Sequence, residues 1–492
     1  MSLPLAGTPA RGDAIRPVAM WVGALRRGAR YPPAMSRLTT ITVGLGLALF
    51  ACGPAADPDA EAPAAPGQAA VESRAQARVV LITIDTLRKD AVAKAMPLLH
   101  RRMADGLRFE AVYSSSPSTQ PSHASKLTGL HPWQHGVTRN GQVLSEEHVT
   151  VAELARDAGF ATSAVVASYP LDPRFGQAQG FDKVVAEFTE SRRVKVRTWK
   201  GHKPDWDAFF CLADTVTGHA LATIDELADE PRQMLWFHYY DPHSPYGDTA
   251  GVEHPLETKV LTALAQMDQP AQLEDAVRRC LKRYHADCAA LDKSLDRVLT
   301  RLLDQDDGVP THVILTADHG ESFGHDGSFG HGDRVTADQM WVPTVVFSSD
   351  AEPGERHDVG GSVDIFATVL ARAGLAPPPG TSGRDLLGPA PRDGGAAFGM
   401  RRSFAGKASD VRSDGTIIPL SGYRFFAVRD GTYWYGDEDG VDVYAGGPVE
   451  EGAAARVSSA FGAFTRTLEG LSVEEDLSDE AQAALEALGY TR

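Results

Sequence analysis

The sequence predicts an α/β protein: a doubly wound, mostly parallel sheet followed by a small C-terminal α+β subdomain. Three observations lead there. From residue 78 onward, strand-like apolar runs alternate with segments of helical periodicity. Several of those runs stop abruptly at Asp, His or Thr, where parallel sheets carry their chemistry. After about residue 376 the stretch APPPGTSGRDLLGPAPRDGGAA interrupts the alternation. It gives way to GYRFFAVRDGTYWYGDEDGVDVYA, which reads as hairpin strands turning at Asp-Gly.

The chain of 492 residues exceeds the usual size of one domain. Its net charge of -17 argues against a nucleic-acid partner, because phosphate backbones would be repelled. The first 51 residues go the other way, with six Arg and one Asp. Within them, MSRLTTITVGLGLALFACGP, from Met35, has a basic start, a short apolar run and a cysteine, the shape of a secretory signal. Its apolar run spans about 12 residues, short of the roughly 20 that cross a bilayer. Leu49-Phe50-Ala51-Cys52 resembles a bacterial lipobox, so residues 35–52 are expected to be a lipoprotein signal and Cys52 a lipidated membrane anchor. The expected location is the bacterial cell envelope, periplasm or outer membrane. Residues 1–34, with Arg and Pro ahead of that signal, are read as a mis-assigned start. Residues 53–77, rich in Ala, Pro and acid, cannot build a core and read as a flexible tether.

The main domain is expected over 78–376. It opens with VVLITIDTLR, a buried strand ending at Asp85, a poor core residue unless paired or metal-bound. In SSSPSTQPSHASKLTG, Thr119 falls at or just before a helix N-terminus, where backbone N–H groups favour an anion. A simple N-cap explains the same residue. ADTVTGHALATIDELA has apolar residues at helical spacing and should cover the sheet. QMLWFHYYDPH is a strand running into Asp241, Pro242 and His243, the proline stopping sheet pairing. RRCLKRYHADCAALDKSLDRVLTRLLD reads as one helix, which holds Cys280 and Cys288 about 12 Å apart, too far for a bridge.

The richest segment is TADHGESFGHDGSFGHG, directly after the strand-like THVILTA. It packs Asp318, His319, His325, Asp326 and His331 among glycines. An oxygen and imidazoles at a strand end suit a borderline divalent metal such as zinc or manganese. His325 and Asp326 read as ordinary loop residues, and Asn140, in an Asn-Gly turn, as a further substrate contact.

Taken together, ITIDTLR, STQPSHASKLTGLHPWQHGV, RFGQAQGFD, HYYDPHSPY and TADHGESFGHDGSFGHG resemble the sulfatase family of the alkaline-phosphatase-like superfamily, in the family's order and over about 410 residues. The resemblance implies an alkaline-phosphatase-like fold and a metal held by Asp85, Asp318 and His319, with Thr119 as metal-bound nucleophile. It further implies that His243 and His331 act in catalysis or, with Asn140, serve a second metal or the substrate. One or two divalent ions are expected, zinc, manganese or calcium, and the substrate is an anionic ester.

Departures from the family pattern sharpen the expectation. Sulfatases have Cys or Ser at the nucleophile position, oxidised to an aldehyde; oxidising Thr119 would give a ketone. The family's Arg after Pro-Ser is His123 here, its Lys and His are missing from TSAVVASYPLD, and Thr86 stands where a second Asp is usual. These changes remove charges that clamp a sulfate. The reading that follows is hydrolysis or transfer of a phosphate ester, or less readily a sulfate ester, through Thr119. Its rivals are a formylglycine-independent sulfatase acting on sulfated glycans and a catalytically degenerate anion-binding lipoprotein.

Overall fold

A computed structural model describes residues 76–189, 209–247, 258–402 and 423–445, apart from 268, 306, 326–327, 333, 393, 430–431 and 438–439. The expected signal and the tether through residue 75 lie outside these residues, as does Asp326, and β1 begins at Ala77, inside the expected tether. Among the described residues no helix is long and apolar enough to cross a membrane.

The strands of the main sheet are β1 (Ala77–Ile84), β2 (Leu107–Tyr113), β3 (Ala161–Val165), β4 (Lys183–Val185), β5 (Arg232–Tyr239) and β6 (Thr311–Ala317). A short hairpin follows, β7 (Ser322–Phe323) with β8 (Phe329–Gly330). Then come β9 (Trp341–Phe347), β10 (Gly354–Arg356) and β11 (Gly360–Gly361). Their order is β10-β2-β9-β6-β1-β5-β3-β4, with β11 continuing alongside β2. Pairing is parallel except at β9, which runs antiparallel to both β2 and β6. The reversal has a simple cause. The chain leaving β6 stays at that strand's carboxyl end through residues 318–340, so β9 must return through the sheet. The expected mostly parallel α/β sheet is what the chain forms.

β1 lies at the centre, and every residue from Ala77 to Ile84 is buried, as an apolar run covered on both faces should be. The chain visits one side of it for β2 and the other for β3, which makes its carboxyl end a switch point where a crevice opens. Helices Ala213–Glu226 and Pro270–Leu303 pack on the sheet, the first of them over the residues expected for it. Cys211, Cys280 and Cys288 are buried free thiols.

Beyond residue 376 the chain stays against the core: Leu386 is fully buried, and its N–H donates to Thr368 Oγ1 at 2.9 Å. A second sheet of four antiparallel strands follows, β12 (Ala396–Arg402), β13 (Tyr423–Arg429), β14 (Thr432–Asp437) and β15 (Gly440–Ala445). Arg429 pairs with Thr432 across the expected Asp-Gly, whereas Asp437 pairs with Gly440, so the second connection falls at Glu438-Asp439 and Gly440 opens β15. β12 braces the approach to the crevice, because Met400 N–H donates to Ser115 carbonyl at 2.8 Å.

Candidate active site

Adjacent strands in parallel register deliver their next residues to the same place. Ile84 at the end of β1 pairs with Ala317 at the end of β6, so Asp85 and Asp318 follow side by side. Asp85, Asp318 and His319 form a buried trio whose potential ligand atoms all lie within 4.8 Å of one another. These are the three residues expected to hold a metal.

Hydrogen bonds leave one face of the trio unsatisfied. Asp318 Oδ1 accepts from the Thr86 N–H at 3.1 Å and the His319 N–H at 2.6 Å, while Oδ2 has no partner. His319 Nδ1 sits 2.9 Å from the Gly320 carbonyl. A carbonyl only accepts, so the proton is on Nδ1 and the lone pair on Nε2, which is buried without a partner. Both Asp85 carboxylate oxygens are likewise buried and unpaired. Such atoms are costly in a protein interior unless a cation meets them. The donor set, carboxylate oxygens and an imidazole nitrogen, fits a divalent ion.

The electrostatics agree. Burial, then the charge of Asp318, raises the Asp85 carboxyl well above its ordinary range. Burial works in the same direction on Asp318, but the field of the basic groups packed around it, Lys126 among them, outweighs burial and holds that carboxyl low. Two carboxyls sharing a site are driven apart in this way, and a cation between them would restore both charges.

Local backbone explains the tightness. Thr86 has φ of 53°, an outlier for a β-branched residue. Tyr284, on the long helix Pro270–Leu303, holds that turn: its hydroxyl donates to the Thr86 carbonyl at 2.9 Å and accepts from the Arg88 N–H at 2.9 Å. Tyr284→Phe is therefore expected to weaken divalent-metal affinity by about 10- to 100-fold, with the fold intact. Titration of metal-stripped protein checks this, and unchanged affinity would remove Tyr284 from the support. Gly320 is required for another reason. A Cβ there would meet the Asp338 carbonyl oxygen at 2.2 Å, so the Asp-His-Gly sequence lets the short helix Ala337–Met340 approach the site closely.

Thr119 is the first residue of helix Thr119–Thr128, fully buried, with Oγ1 unpartnered. The expected N-cap role is not its own, since the cap position is Ser118. Two links tie this helix start to the trio. Ser122 Oγ donates to the Asp318 carbonyl at 2.7 Å. His123 Nδ1 lies 2.8 Å from the Thr119 carbonyl and 3.9 Å from Asp318 Oδ2. Asn140 comes close as well: its Oδ1 accepts from the Gln120 N–H at 2.8 Å, and its buried Nδ2 has no partner.

The other two expected histidines are also here. The His331 ring stands 4.6 Å from that of His319 and 4.7 Å from that of His243. His243 Nδ1 lies 2.6 Å from the Ser244 carbonyl and 2.8 Å from the Tyr240 hydroxyl. His331 Nδ1 pairs with Glu321 at 3.1 Å. Burial lowers the His331 pKa, but Glu321 at hydrogen-bond distance outweighs it and moves the pKa above the ordinary imidazole value. His325 stands apart, an exposed side chain paired with Asp338 at 3.3 Å, as expected of a loop residue.

Asp241, another strand-end acid, does different work. It caps helix Ala213–Glu226, accepting from the Ala213 N–H at 2.9 Å. Burial lifts its pKa from 3.8 to about 7. A raised carboxyl contributes stability that is whole below pH ~4 and is lost as pH rises through about 7. Asp241→Asn keeps the accepting oxygen and should flatten that decline, which is on the order of 4 kcal/mol at most, at about 1.4 kcal/mol per unit. Denaturant midpoints of both forms between pH 4 and 8 measure it; parallel profiles would refute it.

Sequence reasoning passed over three residues. His238, one strand over on β5, has Nε2 3.7 Å from Asp85 Oδ2. Its Nδ1 accepts from the Ala167 N–H at 3.3 Å, so an N–H faces Asp85 and orients it without being a ligand. Glu321 is fully buried. Lys126, buried beneath the helix and lowered to about 7 by burial, bonds Ser122 and Ser362. The signal for all three was a polar residue inside an otherwise buried run.

The fold and this centre define a class: an α/β protein with a candidate metal site, Asp85, Asp318 and His319, at the switch point of its sheet. Residues 77–375 match the Sulfatase family model, and the chain belongs to the sulfatase family. It is 24% identical to the uncharacterized sulfatase YidJ of Escherichia coli over 322 residues, 58% of this chain and 64% of that one. It is 26% identical to the N-acetylgalactosamine-6-sulfatase of Canis lupus familiaris over 344 residues, 60% of this chain and 61% of that one. The chain thus spans a little under two thirds of the length of these relatives. Among solved structures, a phosphonate monoester hydrolase from Silicibacter pomeroyi shares the fold. The TM-score is 0.57 at 20% identity, covering 80% of this chain and 95% of the other.

Proposed function

We propose that this protein is a metal-dependent hydrolase or transferase of anionic esters, phosphate esters before sulfate esters, with Thr119 as nucleophile. One observation carries the reading: a buried, unpartnered threonine hydroxyl at a helix start, tied through Ser122 and His123 to a trio of unpaired metal-ligand atoms. A hydroxyl in such a place has no structural use for its burial. When bound, a divalent ion at Asp85, Asp318 and His319 neutralises charge on the ester and favours ionisation of a nearby hydroxyl.

The residues divide the remaining work. Thr119 gives up its proton to solvent as its oxygen bonds to phosphorus and the bond from phosphorus to the departing ester oxygen breaks; water or an alcohol then attacks the phosphothreonine, takes its phosphoryl group and returns a proton to Thr119. His331, paired with Glu321, which raises its pKa, supplies a proton to the departing ester oxygen. His243 meets the His331 ring edge-on at 4.7 Å and shapes that side of the crevice. Asn140 offers a donor beside the helix start, where an anionic group would lie. Threonine does not yield the aldehyde on which sulfate-ester cleavage in the family depends, which favours phosphorus over sulfur.

The purified protein, stripped and then resupplied with zinc, manganese or calcium, should hydrolyse aryl phosphate or phosphonate esters faster than aryl sulfates. His331→Gln should lose about 10²-fold or more on poor leaving groups and far less on nitrophenolate. Failure to turn over any of the three ester classes with any of the ions would end the proposal. The cell-envelope location is proposed on the signal and lipobox alone; Cys52→Ser should move the protein from the membrane fraction to the soluble one.

A further inference from the structure

We infer that His123 is a positioning residue for Thr119: a neutral imidazole, protonated on Nδ1, that holds the Thr119 peptide and touches no substrate. The inference rests on the reading of Thr119 as nucleophile. It starts from a row of buried polar groups whose hydrogens can be placed by elimination. Trp236 Nε1 lies 3.0 Å from Thr83 Oγ1, and an indole nitrogen only donates. His123 Nε2 lies 3.0 Å from the same Thr83 oxygen, and His123 Nδ1 lies 2.8 Å from the Thr119 carbonyl. A carbonyl only accepts, so Nδ1 carries a proton. Thr83 must then place its own hydroxyl hydrogen, and the one acceptor within reach is His123 Nε2. Trp236 therefore donates to Thr83, Thr83 to His123, and His123 to Thr119, with every donor matched. A doubly protonated ring would leave the Thr83 hydrogen with no acceptor in a fully buried place.

Both ring nitrogens are thus committed to protein atoms. The edge of the ring nearest the centre, Nδ1, is 3.9 Å from Asp318 Oδ2, beyond hydrogen-bond reach. His238 closes another side, its ring 5.1 Å away and edge-on. What His123 governs is the first turn of the helix: it fixes the peptide of the residue whose hydroxyl must be aimed. A residue one turn along the same helix thereby anchors the nucleophile to β1 through Thr83 and to β5 through Trp236. This position of the chain consequently contributes no positive charge to substrate binding.

The test has two independent arms on the full-length protein. In the first, ¹⁵N-histidine-labelled wild type is examined by long-range ¹H–¹⁵N correlation, with and without added zinc, the His123 signals identified by their loss in His123→Asn. One protonated nitrogen at Nδ1 and one unprotonated at Nε2 is the expected pattern; an Nε2–H tautomer or a doubly protonated ring overturns the inference. In the second arm, kinetics on an aryl phosphate ester compare His123→Asn with His123→Leu. The asparagine amide can still donate to the Thr119 carbonyl and should keep kcat within about fivefold, the value of one modest hydrogen bond. Leucine should lower kcat by about 10- to 100-fold at unchanged KM. A rise in KM at unchanged kcat in both variants would make His123 a substrate contact and overturn the idea. Should the leucine variant fail to fold, the asparagine variant and the labelled wild type decide. A Thr119→Ala variant that keeps its activity would remove the nucleophile and leave the tautomer result standing, so the two failures are told apart.

Discussion

Thr119→Ala is expected to lower turnover of the best ester substrate by roughly 10⁴-fold, while metal affinity changes by less than about threefold. The reasoning is that Oγ1 makes no hydrogen bond in the folded protein, so removing it breaks no structural contact. Alanine suits a helix interior at least as well as threonine, and the cap belongs to Ser118. Melting temperature should therefore hold or rise slightly. Thr119→Ser keeps the oxygen and should retain activity within about tenfold, the loss arising from the freer rotation of an unbranched side chain. Steady-state rates with metal-saturated protein give the answer directly. An alanine variant running at more than a tenth of the wild-type rate would eliminate Thr119 as the attacking group.

Asp318→Asn should abolish tight divalent-metal binding while sparing the fold. Asparagine keeps an oxygen to accept from the Thr86 and His319 N–H groups, as Oδ1 does in the native protein. What disappears is the negative charge and the unpaired Oδ2. Residues behind a metal ligand typically alter affinity by about 10- to 100-fold, so loss of a charged ligand should exceed 100-fold. A chelating dye competing with metal-stripped wild type and variant reads this out. Affinity within about threefold of wild type would show that the ion, if any, binds elsewhere.

Much of this arrangement was legible in the sequence because it depends on short-range rules. The apolar run of β1, the Asp-Gly turn between β13 and β14 and the helix over Ala213–Glu226 each follow from local pattern. Asp85 and Asp318 stood out as acids directly after buried strands, while the choice of Asp85, Asp318 and His319 as one ligand set came from the resemblance to the sulfatase family. The parts that stayed hidden depend on pairings across the fold. Asp241 follows a strand in the same manner as Asp85, yet becomes a helix cap, since β5 delivers it beside Ala213. His238 and Tyr284 read as ordinary members of a strand and a helix until β5 and the long helix lie against β1. The reversal of β9 depends on which end of the sheet the intervening loop occupies, and no periodicity records that.

The adjacency of Asp85 and Asp318 has a consequence for how the protein comes into being. Thr86 and Asp318, joined by a hydrogen bond, are 232 residues apart along the chain. At synthesis rates of about 5–20 residues per second, the first strand waits on the order of ten seconds or longer for β6 to emerge. Until then Asp85 stands apart from Asp318 and His319, and the candidate ligand set is incomplete. A slip of one residue in that late pairing would turn every side chain of the strand to the opposite face. Chemical competence is therefore a test of finished assembly, passed only when distant pieces of the polypeptide have met in the right alignment.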